Sequence, residues 1–133
     1  MIVVDTNVIA YLWLPSAETA RAERLLRSDA DWCAPLLWRS EFRSVLTGFV
    51  RRGALSIDAA LQTAADAEDH LRDREYAVPT DRVLRAAASS GCSPYDCEFV
   101  VLAEQLGVAL VTADRQVLKS FPEIARSLSR PEA

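Results

Sequence analysis

The 133-residue chain has the length of one domain, and half of it is hydrophobic, which excludes a disordered chain. Its formal net charge of −4 excludes wholesale electrostatic capture of nucleic acid, so any contact with a polyanion has to be local. Three cysteines, Cys33, Cys92 and Cys97, form neither a disulfide framework nor a zinc spacing, the start lacks a signal-peptide pattern, and no apolar run reaches the ~20 residues that span a bilayer. A single domain over residues 1–133 in a reducing cytoplasm is therefore expected.

Ile2-Val3-Val4 is a short β-branched run and reads as a buried strand. Asp5-Thr6-Asn7 offers capping side chains to a helix through Val8 and Leu12, which Pro15-Ser16 breaks. A second helix is predicted from about Ala17 to Arg27 with Ala20, Leu25 and Leu26 inward. Trp32-Cys33-Ala34 follows as a strand ended by Pro35. From Leu37 to Arg52, Trp38, Phe42, Val45, Leu46 and Phe49 recur at the three- and four-residue steps of one helical face, and Gly53 stops the helix. Another helix opens at Ser56 and runs towards Leu71. Tyr76-Ala77-Val78 reads as a strand, and helices follow over Thr80–Gly91 and from Ser93-Pro94 to Gly107. Val108 to Thr112 is the clearest strand. A short helix around Gln116 to Ser120 and a weak segment from Glu123 to Leu128 close the chain. Strands alternating with helices predict an α/β fold with a mainly parallel sheet, whose ligands bind at the carboxyl ends of the strands.

Two acids fall at such ends: Asp5 directly follows the first strand, and Asp114 lies two residues beyond the strand ending at Thr112. Helix capping is the competing explanation for each. Glu41 and Asp96 are different. Glu41 shares a face with Trp38, Phe42 and Val45, and Asp96 shares one with Phe99, Val100 and Ala103. A carboxylate on an apolar face is costly unless it is paired or binds a cation. Arg39, Arg43 and Arg85 are the available salt-bridge partners. Two like charges ~4 Å apart repel by about 4 kcal/mol at an effective dielectric near 20, so four converging carboxylates favour a metal. Oxygen ligands without His or Cys suit Mg²⁺ or Mn²⁺, whose bound water can attack a phosphodiester.

The order Val3-Val4-Asp5-Thr6-Asn7, Glu41 on an early helix, Tyr95-Asp96 leading Phe99 to Ala103, and Val111-Thr112-Ala113-Asp114 resembles a PIN domain over nearly the whole chain. In its compact length the chain is similar to VapC-type toxins of bacterial type II toxin–antitoxin pairs. The resemblance implies a three-layer α/β/α domain and a Mg²⁺- or Mn²⁺-dependent endoribonuclease. It also implies an RNA substrate, a cognate antitoxin and a homodimer. It casts Asp5, Glu41, Asp96 and Asp114 as catalytic metal ligands, with Thr6, Asn7 and Thr112 as supporting or substrate-contacting residues; Arg115, next to Asp114, is a candidate substrate contact from its position alone. Many members carry a further acid shortly after the last Asp, but here Arg115, Gln116 and Val117 stand there.

Arg39, Arg43, Arg115 and Lys119 flank these acids and are candidates for phosphate contacts or ordinary surface charges. Glu98, two residues from Asp96, reads as solvated. His70, the lone histidine, lies in a charged helix end and reads as non-catalytic. The crowded apolar run Tyr11-Leu12-Trp13-Leu14 is expected to serve the core and to line a groove for a partner helix, the antitoxin's in the resembled toxins. Two competing readings stand beside the ribonuclease. One is a non-catalytic PIN-like module that binds RNA or protein. The other is a Mg-dependent phosphatase, disfavoured because Asn7 stands where such enzymes want a second Asp.

Overall fold

Short β-branched and aromatic runs build the sheet, and apolar faces at helical spacing cover it, in a computed structural model that describes residues 1–132. In chain order the elements are β1 (Ile2–Val4), α1 (Thr6–Trp13), α2 (Thr19–Ser28), β2 (Trp32–Pro35), α3 (Trp38–Arg51), α4 (Ile57–His70), β3 (Glu75–Tyr76), α5 (Thr80–Ser90), α6 (Pro94–Leu106), β4 (Leu110–Thr112), α7 (Arg115–Ser120) and β5 (Ala125–Ser127). The strands form one parallel sheet in the order β3-β2-β1-β4-β5. Right-handed crossovers place α1 to α4 on one face and α5 to α7 on the other, giving the three-layer α/β/α architecture. The chain leaves β1 in one direction and β4 in the other. The carboxyl ends of these two neighbours are therefore the topological switch where open α/β sheets bind ligands.

β1 and β4 are buried on both faces, which is why Val3, Val4, Leu110 and Val111 carry no polar alternation. Trp32, Trp38, Phe42 and Phe99 are the largest fully buried side chains. Ser93 caps α6 by accepting from the amide of Asp96 at 3.1 Å, and Gly107 ends it with a φ of 67° that a side chain would resist. No helix among the described residues is long and apolar enough to cross a membrane.

The structure corrects several expectations. β3 is Glu75–Tyr76, earlier than Tyr76 to Val78, because the carbonyls of Arg74 and Tyr76 accept from the amides of Ala34 and Leu36 and fix the register there. Ala20 is exposed, because α2 starts at Thr19 and turns Ala22 and Leu25 inward instead. The weak closing segment contains β5, paired along its length with β4. Leu14 is buried, and Tyr11, Leu12 and Trp13 pack partly buried against the core. An apolar groove lies elsewhere, between α3 and α4, lined by Leu46, Val50, Ile57 and Leu61.

A charged clamp fixes the start of α3. Glu75 accepts from Arg39 Nε at 2.6 Å, Arg39 Nη2 at 2.8 Å and Trp38 Nε1 at 2.7 Å, and Arg39 also reaches Glu68 at 2.9 Å. Arg39 holds the Glu75 carboxyl below the usual carboxylate range. The clamp ties β3 and α4 to the helical turn that carries Glu41. Glu75→Gln should lower stability in urea at neutral pH by about 1–3 kcal/mol, since it weakens a charge-assisted pair. An unchanged midpoint would show that the clamp contributes nothing.

Candidate active site

Asp5, Glu41, Asp96 and Asp114 line one cavity of about 360 Å³ at the carboxyl end of the sheet, together with Thr6, Asn7, Ser44 and Val45. Each acid arrives there for a local reason. Asp5 ends β1 and caps α1: its amide donates to the Val111 carbonyl at 3.0 Å, and its Oδ1 accepts from the Thr6 amide at 2.8 Å. Asp114 caps α7, with Oδ1 accepting from the Val117 amide at 3.0 Å. Capping and site membership are thus both true of these two acids, each cap engaging Oδ1. Glu41 and Asp96 stand in the first turns of α3 and α6, where the helix dipole favours negative charge.

Two threonine hydroxyls bind this group together. Thr112, fully buried, donates to Asp5 Oδ2 at 2.7 Å and accepts from the Asp114 amide at 3.0 Å, so one side chain positions both switch-point acids. Thr6 donates to Glu41 Oε1 at 2.7 Å, joining α1 to α3. None of the four acids forms a salt bridge among the described residues, which removes the ion-pair explanation: Arg39 is engaged by Glu68 and Glu75. Arg115 is exposed at the start of α7 and is not on the cavity wall.

Burial raises the pKa of Asp5 to about 6, against the opposing hydrogen bonds from Thr112 and Thr6 and with added repulsion from Asp96 and Glu41. Burial also raises Glu41, with Asp96 adding to it, and raises Asp96, with Asp114 adding to it. Glu98 departs from its solvated reading. It is half-buried, raised by burial and by Glu41, and it faces a neighbouring pocket with Leu36, Tyr76 and Leu84. His70 lies away from the cavity, between the rings of Trp13 and Trp32.

The donor set fits a hard divalent cation. Every ionisable side chain on the wall is a carboxylate, and Asn7 adds a buried Oδ1 that has no hydrogen-bond partner. Among the described residues, no three acids close up into a ready-made metal cage. Mg²⁺ keeps several waters and so suits a carboxylate-lined cavity better than it suits an all-protein cage. Ser44 escaped the sequence reading. Its signal was its position three residues after Glu41, which puts both on one helix face.

The raised pKa of Asp5 makes stability depend on pH when metal is chelated. Between about pH 4 and pH 6 the folded chain keeps a proton that the unfolded chain has released, so stability is highest at the acid end and falls as pH rises. A rise from 3.8 to about 6 corresponds to an effect on the order of 3 kcal/mol at neutral pH. In EDTA, Asp5→Asn should gain on wild type across that window and unfold at higher denaturant at pH 7. Parallel curves for the two proteins would contradict the assignment.

Comparison with known proteins agrees with this geometry. The PIN domain family matches residues 2–126. Ribonuclease VapC3 of Pyrobaculum aerophilum is 31% identical over 126 residues, covering 92% of this chain and 96% of that one. Exonuclease VapC9 of the same organism is 45% identical over 40 residues, 30% of either chain. The crystal structure of PAE2754 from Pyrobaculum aerophilum shares the fold with a TM-score of 0.77 at 23% identity, over 96% of this chain and 90% of that one. A parallel sheet with acids at its switch point, matched along almost its whole length, places the chain in the PIN-domain family, among its VapC-type members.

Proposed function

We propose that this protein is a Mg²⁺- or Mn²⁺-dependent endoribonuclease, the toxin of a toxin–antitoxin pair. The observation that carries the reading is the meeting of Asp5, Glu41, Asp96 and Asp114, free of ion pairs, on one cavity wall. Such a wall is unfavourable for a chain that only binds, because each carboxylate raises the cost of ionising the next. The similarity to Ribonuclease VapC3 supports RNA as the substrate.

Asp5, Glu41, Asp96 and Asp114 are the proposed ligands, with Asn7 Oδ1 an additional oxygen at the same wall. Held by these side chains, a divalent cation would lower the pKa of an attacking water and stabilise charge on a phosphoryl oxygen. Thr112 and Thr6 fix the planes of the Asp5 and Glu41 carboxylates, so that little reorganisation is left for the reaction. Arg115, exposed beside Asp114, is proposed to contact substrate phosphate rather than to hold the site together.

The partners belong to the same proposal. The α3–α4 groove, apolar within and flanked by Arg43 and Arg51, suits an antitoxin segment with an apolar face and acidic margins. Leu36, Leu84 and Tyr95 are exposed apolar side chains available to a second copy in a homodimer.

Purified chain freed of any partner should cut structured RNA with Mg²⁺ or Mn²⁺ and not with EDTA. Asp96→Asn should lose at least a hundredfold in rate while keeping its fold, because the shape is kept and a ligand oxygen is lost. Equal cleavage by Asp96→Asn would remove the acidic cavity from the chemistry. Absence of both cleavage and metal binding would favour the non-catalytic module.

A further inference from the structure

The active cavity presents a problem for a polyanionic substrate. Its wall holds four carboxylates and neither Lys nor Arg, so it repels the backbone that the proposed reaction must bring close. Arg115 alone does not offset four carboxylates, and on a chain of net charge −4 further attraction calls for a local concentration of cations.

Such a concentration lies on α2. Arg21, Arg24 and Arg27 recur every third residue, which sets them along one face of the helix, and all three are exposed. They form one side of a cleft of about 520 Å³ whose other side is the segment after β5, including Leu128, Ser129 and Glu132. Arg21 pairs with Glu18 at 3.0 Å, whereas Arg24 and Arg27 make no ion pair among the described residues. Glu132 is the single acid on the cleft wall. Compensation of the helix dipole accounts for Arg27 in the last turn but not for Arg21 or Arg24.

One residue of the cleft wall is tied to the strand end that carries Thr112. The amide of Leu128, on the cleft wall, donates to the carbonyl of Thr112 at 3.2 Å, and the hydroxyl of Thr112 holds Asp5.

We infer that the cleft between α2 and the segment after β5 holds the sugar–phosphate backbone of RNA, with Arg24 and Arg27 as its phosphate contacts. This rests on the ribonuclease reading for its biological meaning, but not for its test. Guanidinium forks pair bidentately with phosphate, and backbone contacts of this kind position a nucleic acid without reading its sequence. The surface therefore supplies affinity and register, while the choice of cleavage site lies elsewhere.

The test uses the full chain in EDTA with a fluorescent single-stranded oligoribonucleotide, so that binding is read without cleavage. The double variant Arg24→Gln/Arg27→Gln should weaken binding about tenfold and reduce the slope of log affinity against log salt by about 1.4, two phosphate contacts on a single strand. Its thermal midpoint should match wild type, and Arg85→Gln, on α5 of the opposite face, should bind as wild type does. Wild-type affinity and slope in the double variant would overturn the inference. So would tighter binding of polyglutamate than of RNA, which would assign the cleft to an acidic protein partner. If wild type never cleaves yet the double variant loses RNA binding, the inference stands and the ribonuclease reading falls. If wild type cleaves and the double variant keeps both its KM and its affinity, the reverse holds.

Discussion

The site depends on the burial of one carboxylate. Asp5 is 7% exposed at the end of a strand with no side chain of opposite charge against it. An isolated buried charge is among the most costly features a fold can carry. Here the cost is lowered by two donors, the Thr6 amide and the Thr112 hydroxyl, and by partial protonation near pH 6. The remaining imbalance is what a bound cation would relieve.

The fold is arranged so that this imbalance is shared. The crossover topology brings β1 and β4 side by side, and each strand ends in an acid that also caps the next helix. α3 and α6 then deliver Glu41 and Asp96 from opposite faces of the sheet, each from a first turn whose dipole tolerates negative charge. Trp38 and Phe99, fully buried, hold those two helices down, and the Arg39–Glu75 clamp fixes the entry to α3. Packing therefore opposes the repulsion that would otherwise spread the acids apart.

Much of this was legible because the sequence breaks local rules at the site. Glu41 and Asp96 stand on otherwise apolar faces, and Asp5 and Asp114 stand at strand ends where an α/β sheet places its ligand. What was not legible depends on tertiary contact. The Arg39–Glu75 clamp joins residues 36 apart, and Thr112 bonds Asp5 across 107. β5 reads as weak because Ala125-Arg126-Ser127 lacks β-branched residues and gains strand geometry only by pairing with β4. Of the Tyr11 to Leu14 run, Leu14 is buried and the other three pack partly buried against the core, while an apolar groove lies between α3 and α4 around Leu46 and Leu61. The arginine row of α2 did not stand out in the sequence, because its facing wall comes from a segment about a hundred residues later.

If the carboxylates of the switch point hold a cation, their protonation competes with the metal. Calorimetric titration of Mn²⁺ into the chain, in buffers of different ionisation enthalpy, measures that competition directly. Near pH 6 binding should release a fraction of a proton, and near pH 8 close to none, because a ligand must be deprotonated to bind. Asp5→Asn should lose most of the affinity and most of the released proton. Tight binding with no proton release near pH 6, or binding that Asp5→Asn leaves intact, would place the cation somewhere other than this cavity.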